Sequence, residues 1–258
     1  MRLMKRILSA AAVLALSASL LVGCSSGTAS SVPVSASSAA ESTVSSVEET
    51  ASSAVDENEA AAAQLLNDLT GSYQELWPVI LADEYKQTWL DDCTALVGED
   101  NAEAAFEKLS SMVTGDVYGE DAVKAYANGG GAYFCGFTNS LAILTFDGET
   151  STISGTDKDG NVLFSHTYHY IGMESVHGLY EFESDDADSG EFTYFFLAPD
   201  TSAETYHIEF RYGSDAEALS QYDAGEYAYW VASGISTDCD QTMIDNCIEL
   251  FCTENLAG

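Results

Sequence analysis

The chain has 258 residues, 46% of them hydrophobic, with 42 acidic side chains against 8 basic ones and a formal net charge of −34. A field of that sign repels nucleic acid and anionic lipid surfaces and gathers cations. It excludes a nucleic-acid partner, while the apolar content is ample for a packed core.

The first element is a targeting segment. Arg2, Lys5 and Arg6 precede an apolar run from Ile7 to Leu21, which ends in Leu21-Val22-Gly23-Cys24. The run is about 15 residues long, short of the roughly 20 that a membrane span requires. A positive stretch, an apolar stretch and a small-residue site together read as a signal peptide over 1–23. Its last four residues look like a lipobox, in which Cys24 is acylated and becomes the new N-terminus. The expectation is a protein held at the extracytoplasmic face of the cell membrane through the lipid on Cys24 alone. Beyond Cys24, only Lys86, Lys108, Lys124, Lys158 and Arg211 face all 42 acids, which leaves a charge of −37.

Residues 24–60 read as a tether. Positions 25–60 hold twelve serines and no lysine or arginine, a composition that cannot repay the entropy of ordering. A flexible coil of this length spans about 33 Å. The domain proper is expected over 61–258, mainly helical to 130, a β-barrel over 131–213, and helical again over 214–258.

In chain order, apolar spacing predicts helices over 60–70, 83–96, 101–113 and 120–127, punctuated by Gly98, Gly115 and Gly119. After Gly129-Gly130-Gly131 the segments become short and rich in Tyr, Phe, Thr, Ile and Val. Strands are predicted over 132–138, 141–147, 150–156, 161–171, 177–184, 191–198 and 205–212. Asp147-Gly148, Asp159-Gly160, Ser189-Gly190 and Pro199-Asp200 supply the turns. Seven strands in a meander favour a closed barrel over a sheet with two open edges. Ser214 and Glu217 read as a capping box for a helix over 215–222, and a final helix is expected over 237–251. The fold class is therefore α+β, an antiparallel barrel with helices on both sides of it in sequence.

Five cysteines remain after lipidation: Cys93, Cys135, Cys239, Cys247 and Cys252. Two disulfides and one free thiol are possible, with the connectivity open. Cys239, Met243, Cys247 and Phe251 recur every four residues, which places them on one helix face as packing residues.

Several pieces resemble the ZinT (YodA) family. They are Gly71-Ser72-Tyr73-Gln74-Glu75-Leu76-Trp77-Pro78, Gly178-Leu179-Tyr180-Glu181-Phe182-Glu183, Ser189-Gly190, and Phe196-Leu197-Ala198-Pro199. Tyr206-His207-Ile208, Tyr212-Gly213-Ser214-Asp215 and Glu226-Tyr227-Ala228-Tyr229-Trp230 follow in the same order. The resemblance spans roughly 65 to 250. It implies a calycin- or lipocalin-like barrel, an exported zinc-binding protein and, as partner, a metal-uptake ABC transporter. It also implies zinc held by three histidines at the barrel mouth. Only the last is kept, as His207; the first falls near Phe195 and the second on Thr205.

Zinc takes three or four N, O or S ligands, so His207 alone makes no site. Strand alternation puts Thr205, His207, Glu209 and Arg211 on one face. His207 and Glu209 are therefore the candidate metal ligands of a reduced set, unless Arg211 neutralises Glu209. His166 and His169, three apart on a strand, fall on opposite faces. His177 is expected at the surface beside Gly178. Asp157-Lys158-Asp159-Gly160-Asn161 reads as a hairpin turn rather than a calcium loop, whose glycine would come later. Glu183 to Asp188 reads as a solvated loop with at most weak calcium affinity. The sequence carries no nucleophile elbow, phosphate loop, dinucleotide fingerprint or H-E-x-x-H helix, and no enzyme is expected. The alternative to a metal-binding lipoprotein is a metal-free barrel that binds a small molecule or a protein partner.

Overall fold

The computed structural model describes residues 57–198 and 207–257. The signal peptide, Cys24, the tether to residue 56, the Pro199-Asp200 turn and Thr205 lie outside the described residues. Helix α1 covers 57–68. It buries Ala62, Leu65 and Leu66, followed by Leu69 just past its end, a spacing that gives one apolar stripe.

The chain then enters strand β1, Gly71–Glu75, which the sequence did not announce. Helices α2 (Leu76–Ile80), α3 (Lys86–Val97), α4 (Ala102–Val113) and α5 (Glu120–Ala127) follow. Their bounds lie close to the expected helices, with α2 as an addition. Next come β2 (Ile143–Asp147), β3 (Thr152–Thr156), β4 (Val162–Met173), β5 (Tyr180–Ser184) and β6 (Tyr194–Leu197). Strand β7 is His207–Gly213, helix α6 Ala216–Leu219, strand β8 Ala232–Ser236 and helix α7 Gln241–Leu256.

The eight strands form one closed antiparallel barrel in sequence order, with β8 pairing back onto β1. The fold is α+β and calycin-like, as expected. Register identifies the inner face. Phe182 pairs with Phe195, Phe195 with Tyr212, and Leu197 with Phe210, and side chains directly opposite share a face. The Phe195 ring lies 5.4 Å from the rings of Tyr168 and Tyr212, 5.9 Å from Phe164 and 6.4 Å from Phe210. The interior is thus filled by aromatic rings, each adding about 1.5–3 kcal/mol of burial. Gly155 on β3 makes room for one of them, because a Cβ there would lie 2.4 Å from atoms of Phe164 and Leu141.

Three expectations need correction. Residues 132–138 are not a barrel strand. Phe134 N–H donates to Tyr229 O and Phe134 O accepts from Val231 N–H, so the segment runs parallel to the approach to β8. Glu75 and Tyr212 anchor its far end: Phe137 N–H donates to Glu75 Oε1 at 2.6 Å, and Thr138 N–H to the Tyr212 hydroxyl at 2.6 Å. Closure comes instead from β1 and β8. Second, the cap of α6 is Asp215, whose carboxylate accepts from Ala218 N–H at 3.0 Å, and not Ser214. Third, α7 begins at Gln241 with Asp240 as its cap, so Cys239 lies outside the helix and is only half-buried.

Helices α2, α3, α4 and α7 pack into a layer whose buried residues are continuous with the barrel core. Trp89 of α3 is fully buried and its Nε1–H donates to Ile80 O at 2.7 Å. Phe251 of α7 meets Trp77 at 4.8 Å and Trp89 at 5.9 Å between ring centres. This layer also contacts β8 through α2, so the β8 side of the barrel is covered.

Candidate metal site on strand β7

Every residue of β7 is buried, which means that both faces of this strand are covered. The even-numbered side chains Ile208, Phe210 and Tyr212 face the aromatic interior. By alternation, His207, Glu209 and Arg211 point to the outer face. His207 stands in register with Ile235 and Glu209 with Ser233 of β8. The three polar residues therefore lie between the barrel wall and the chain that overlies it, not in the closed interior.

His207 is 2% exposed, and burial pushes its imidazole down to about 3. The ring is neutral at physiological pH, the state in which a lone pair is available to a metal. Glu209, 4% exposed, is its neighbour on the same face. The Cys135 thiol is driven well up by burial first and by the Glu209 charge second. Cys135 is placed there by Ser233 N–H, which donates to Cys135 O at 3.0 Å.

Arg211 answers a question the sequence left open. Its guanidinium is fully buried and donates to the carbonyls of Leu219, Gln221 and Tyr227. It also stacks 4.1 Å over the Tyr222 ring. Those acceptors fold the 219–227 segment over the outer face, so the cation is held by backbone oxygens. Among the described residues no ion pair joins it to Glu209.

The other histidines are scattered. His166 Nδ1 lies 2.8 Å from Asp186 and His169 Nδ1 2.8 Å from Asp185. Two rings three positions apart on β4 thus reach successive aspartates of the acidic loop, which ties down a segment expected to be merely solvated. The Asp157 turn is a hairpin, its carboxylate accepting from the Asp159 and Asn161 backbone N–H groups. His177 corrects its surface assignment, being only 5% exposed. Its Nδ1 is 3.4 Å from Glu174 and its ring 3.8 Å from Tyr222. Burial alone would raise the Glu174 carboxyl, yet the His177 ring and the backbone N–H groups of His177 and Val176 hold it below the ordinary range. This buried pair was missed; the only signal was the spacing Glu174-x-x-His177 before Gly178, whose φ of 73° favours glycine.

Among the described residues no three His, Cys, Asp or Glu side chains converge as a metal cluster. Phe195, at the first histidine position of the family pattern, sits inside the barrel. Of the residues that the resemblance aligns with three histidines, the described ones are therefore an interior phenylalanine and His207, which has Glu209 beside it on the outer face. A cleft of about 240 Å³ is lined by Glu75, Trp77, Phe134 and Cys135 among others, and neither His207 nor Glu209 reaches it.

No protein-family model matches this chain, and no curated protein sequence does. Among solved structures, the Zn(II)-bound ZinT-like domain of Streptococcus pneumoniae AdcA is similar at 16% identity, with a TM-score of 0.45, over 71% of this chain and 89% of that one. Zn(II)-bound AdcA from Streptococcus pneumoniae is similar at 14% identity and a TM-score of 0.43, over 72% of this chain. The chain spans about a third, 35%, of that protein's length.

Proposed function

We propose that this chain is an exported lipoprotein, anchored through Cys24, whose tethered barrel captures divalent metal weakly at the cell surface. The observation that carries the reading is the placement of His207 and Glu209 as buried neighbours on the outer face of β7, with the imidazole kept neutral. One nitrogen and one carboxylate are half of a zinc shell, and the remaining ligands would be water admitted when the covering chain opens. The metal is cargo here, and the two-donor set permits release to a transporter of the metal-uptake type. A charge of −37 raises the local cation concentration around the domain. No catalytic step is assigned.

Isothermal titration of zinc into the purified protein tests this. We expect a dissociation constant of roughly 10 μM or weaker, lost in His207→Ala and reduced at least about tenfold in Glu209→Gln. Tight stoichiometric binding that survives both substitutions would overturn the assignment. The metal-free reading is favoured by Phe195 standing where a histidine is needed. In that case the partner is a protein rather than a small molecule, because aromatic rings fill the barrel and Ile171, Met173 and Val176 are exposed outside it. Absence of any zinc heat would select that reading.

A further inference from the structure

Cys93 is on α3 and Cys252 on α7, two helices packed against each other, and both side chains are wholly buried. Their Sγ atoms lie 3.9 Å apart although 159 residues separate them in sequence. A disulfide is about 2.05 Å long, so the sulfurs have about 1.9 Å to close, and the packing of α3 on α7 already sets them side by side. Cys135 differs, since its thiol points to Tyr133 O. Burial raises both thiols of the pair, so the bond is made while the chain folds and the sulfurs are still reachable.

We propose that Cys93 and Cys252 form a structural disulfide that ties α3 to α7. The proposal rests on the exported reading for its oxidising compartment. The Cys93 thiolate attacks one sulfur of a disulfide donor, either an oxidised oxidoreductase or oxidised glutathione. The donor's S–S bond breaks, one donor sulfur leaves as a thiolate, and a mixed disulfide remains on Cys93. The Cys252 thiolate then attacks Cys93 Sγ and expels the second donor sulfur. The pair loses two electrons and two protons, and the donor leaves fully reduced. The closed loop takes in almost the whole barrel, so the bond restricts the denatured chain strongly.

The test is to refold the full chain with oxidised glutathione and map its peptides by mass spectrometry without reduction. We expect a cross-linked peptide joining Cys93 to Cys252. The thermal midpoint should exceed that of the reduced protein by about 5–10 °C, a gap abolished in Cys93→Ala. Free, alkylatable Cys93 and Cys252 after oxidation, or a cross-link between other cysteines, would overturn the proposal. If Cys93→Ala does not fold, the wild-type peptide map still decides. Acid quenching of cells, then alkylation in denaturant, separates the premise: a pair that closes in vitro but is reduced in cells counts against export and leaves the pairing intact.

Discussion

At the scale of single residues, burial decides what His207 can do. Its imidazole titrates near 6.5 when exposed and is pushed down to about 3 in the fold. The unfolded chain therefore takes up a proton first as the pH falls. The stability tied to the neutral ring is complete above about 6.5 and is lost progressively between there and 3, at about 1.4 kcal/mol per unit. In chelator-treated protein, thermal melts should show wild type losing more stability from pH 6.5 to 4.5 than His207→Gln. Parallel slopes for the two proteins would show that the ring is not held in the neutral form. Arg211 shows the same principle with the opposite outcome. It remains a cation inside the protein because three carbonyls and the face of Tyr222 replace its water.

At the scale of elements, the caps separate what pattern can show from what geometry decides. Asp240 accepts from Met243 N–H at 3.0 Å at the start of α7, and Asp215 does the same for α6. Denaturant titration should show Asp240→Ala losing about 1 kcal/mol and Ser214→Ala almost nothing; equal losses would restore the Ser214 capping box. The helices from 83 to 127 and strands β2 to β7 were legible because their apolar spacing reports a face against a core. Strands β1 and β8, helix α2 and the course of residues 132–138 were not. Strand β8, Ala-Ser-Gly-Ile-Ser, is made of small residues whose pairing is set by β7 and β1 on either side, so it lacks an alternating apolar signature. Residues 132–138 carry three aromatic residues and read as a strand, yet their hydrogen bonds go to the approach to β8. Strand propensity reports a half-buried pleated surface, not membership of a particular sheet. The same limit applies to the site. Alternation placed His207, Glu209 and Arg211 on one face, but not on the outer one, nor did it reveal that Arg211 would be consumed by the 219–227 carbonyls.

At the scale of the whole molecule, aromatic rings fill the interior of a closed barrel, so the proposed site lies on its outer face under the overlying chain. Among the described residues no helix is long and apolar enough to cross a membrane. Under the proposed anchoring, membrane fractionation should find wild type in the pellet and Cys24→Ser in the soluble extracytoplasmic fraction; identical distribution of the two would refute a lipid on Cys24. Under the proposed function a captured cation is held by one imidazole and one carboxylate, with solvent completing its shell. Zinc K-edge X-ray absorption on the loaded protein tests it most directly. The expected spectrum has a first shell of nitrogen and oxygen near 2.0–2.1 Å with the outer-shell scattering of a single imidazole. Scattering from three imidazoles, or a sulfur shell near 2.3 Å, would contradict it.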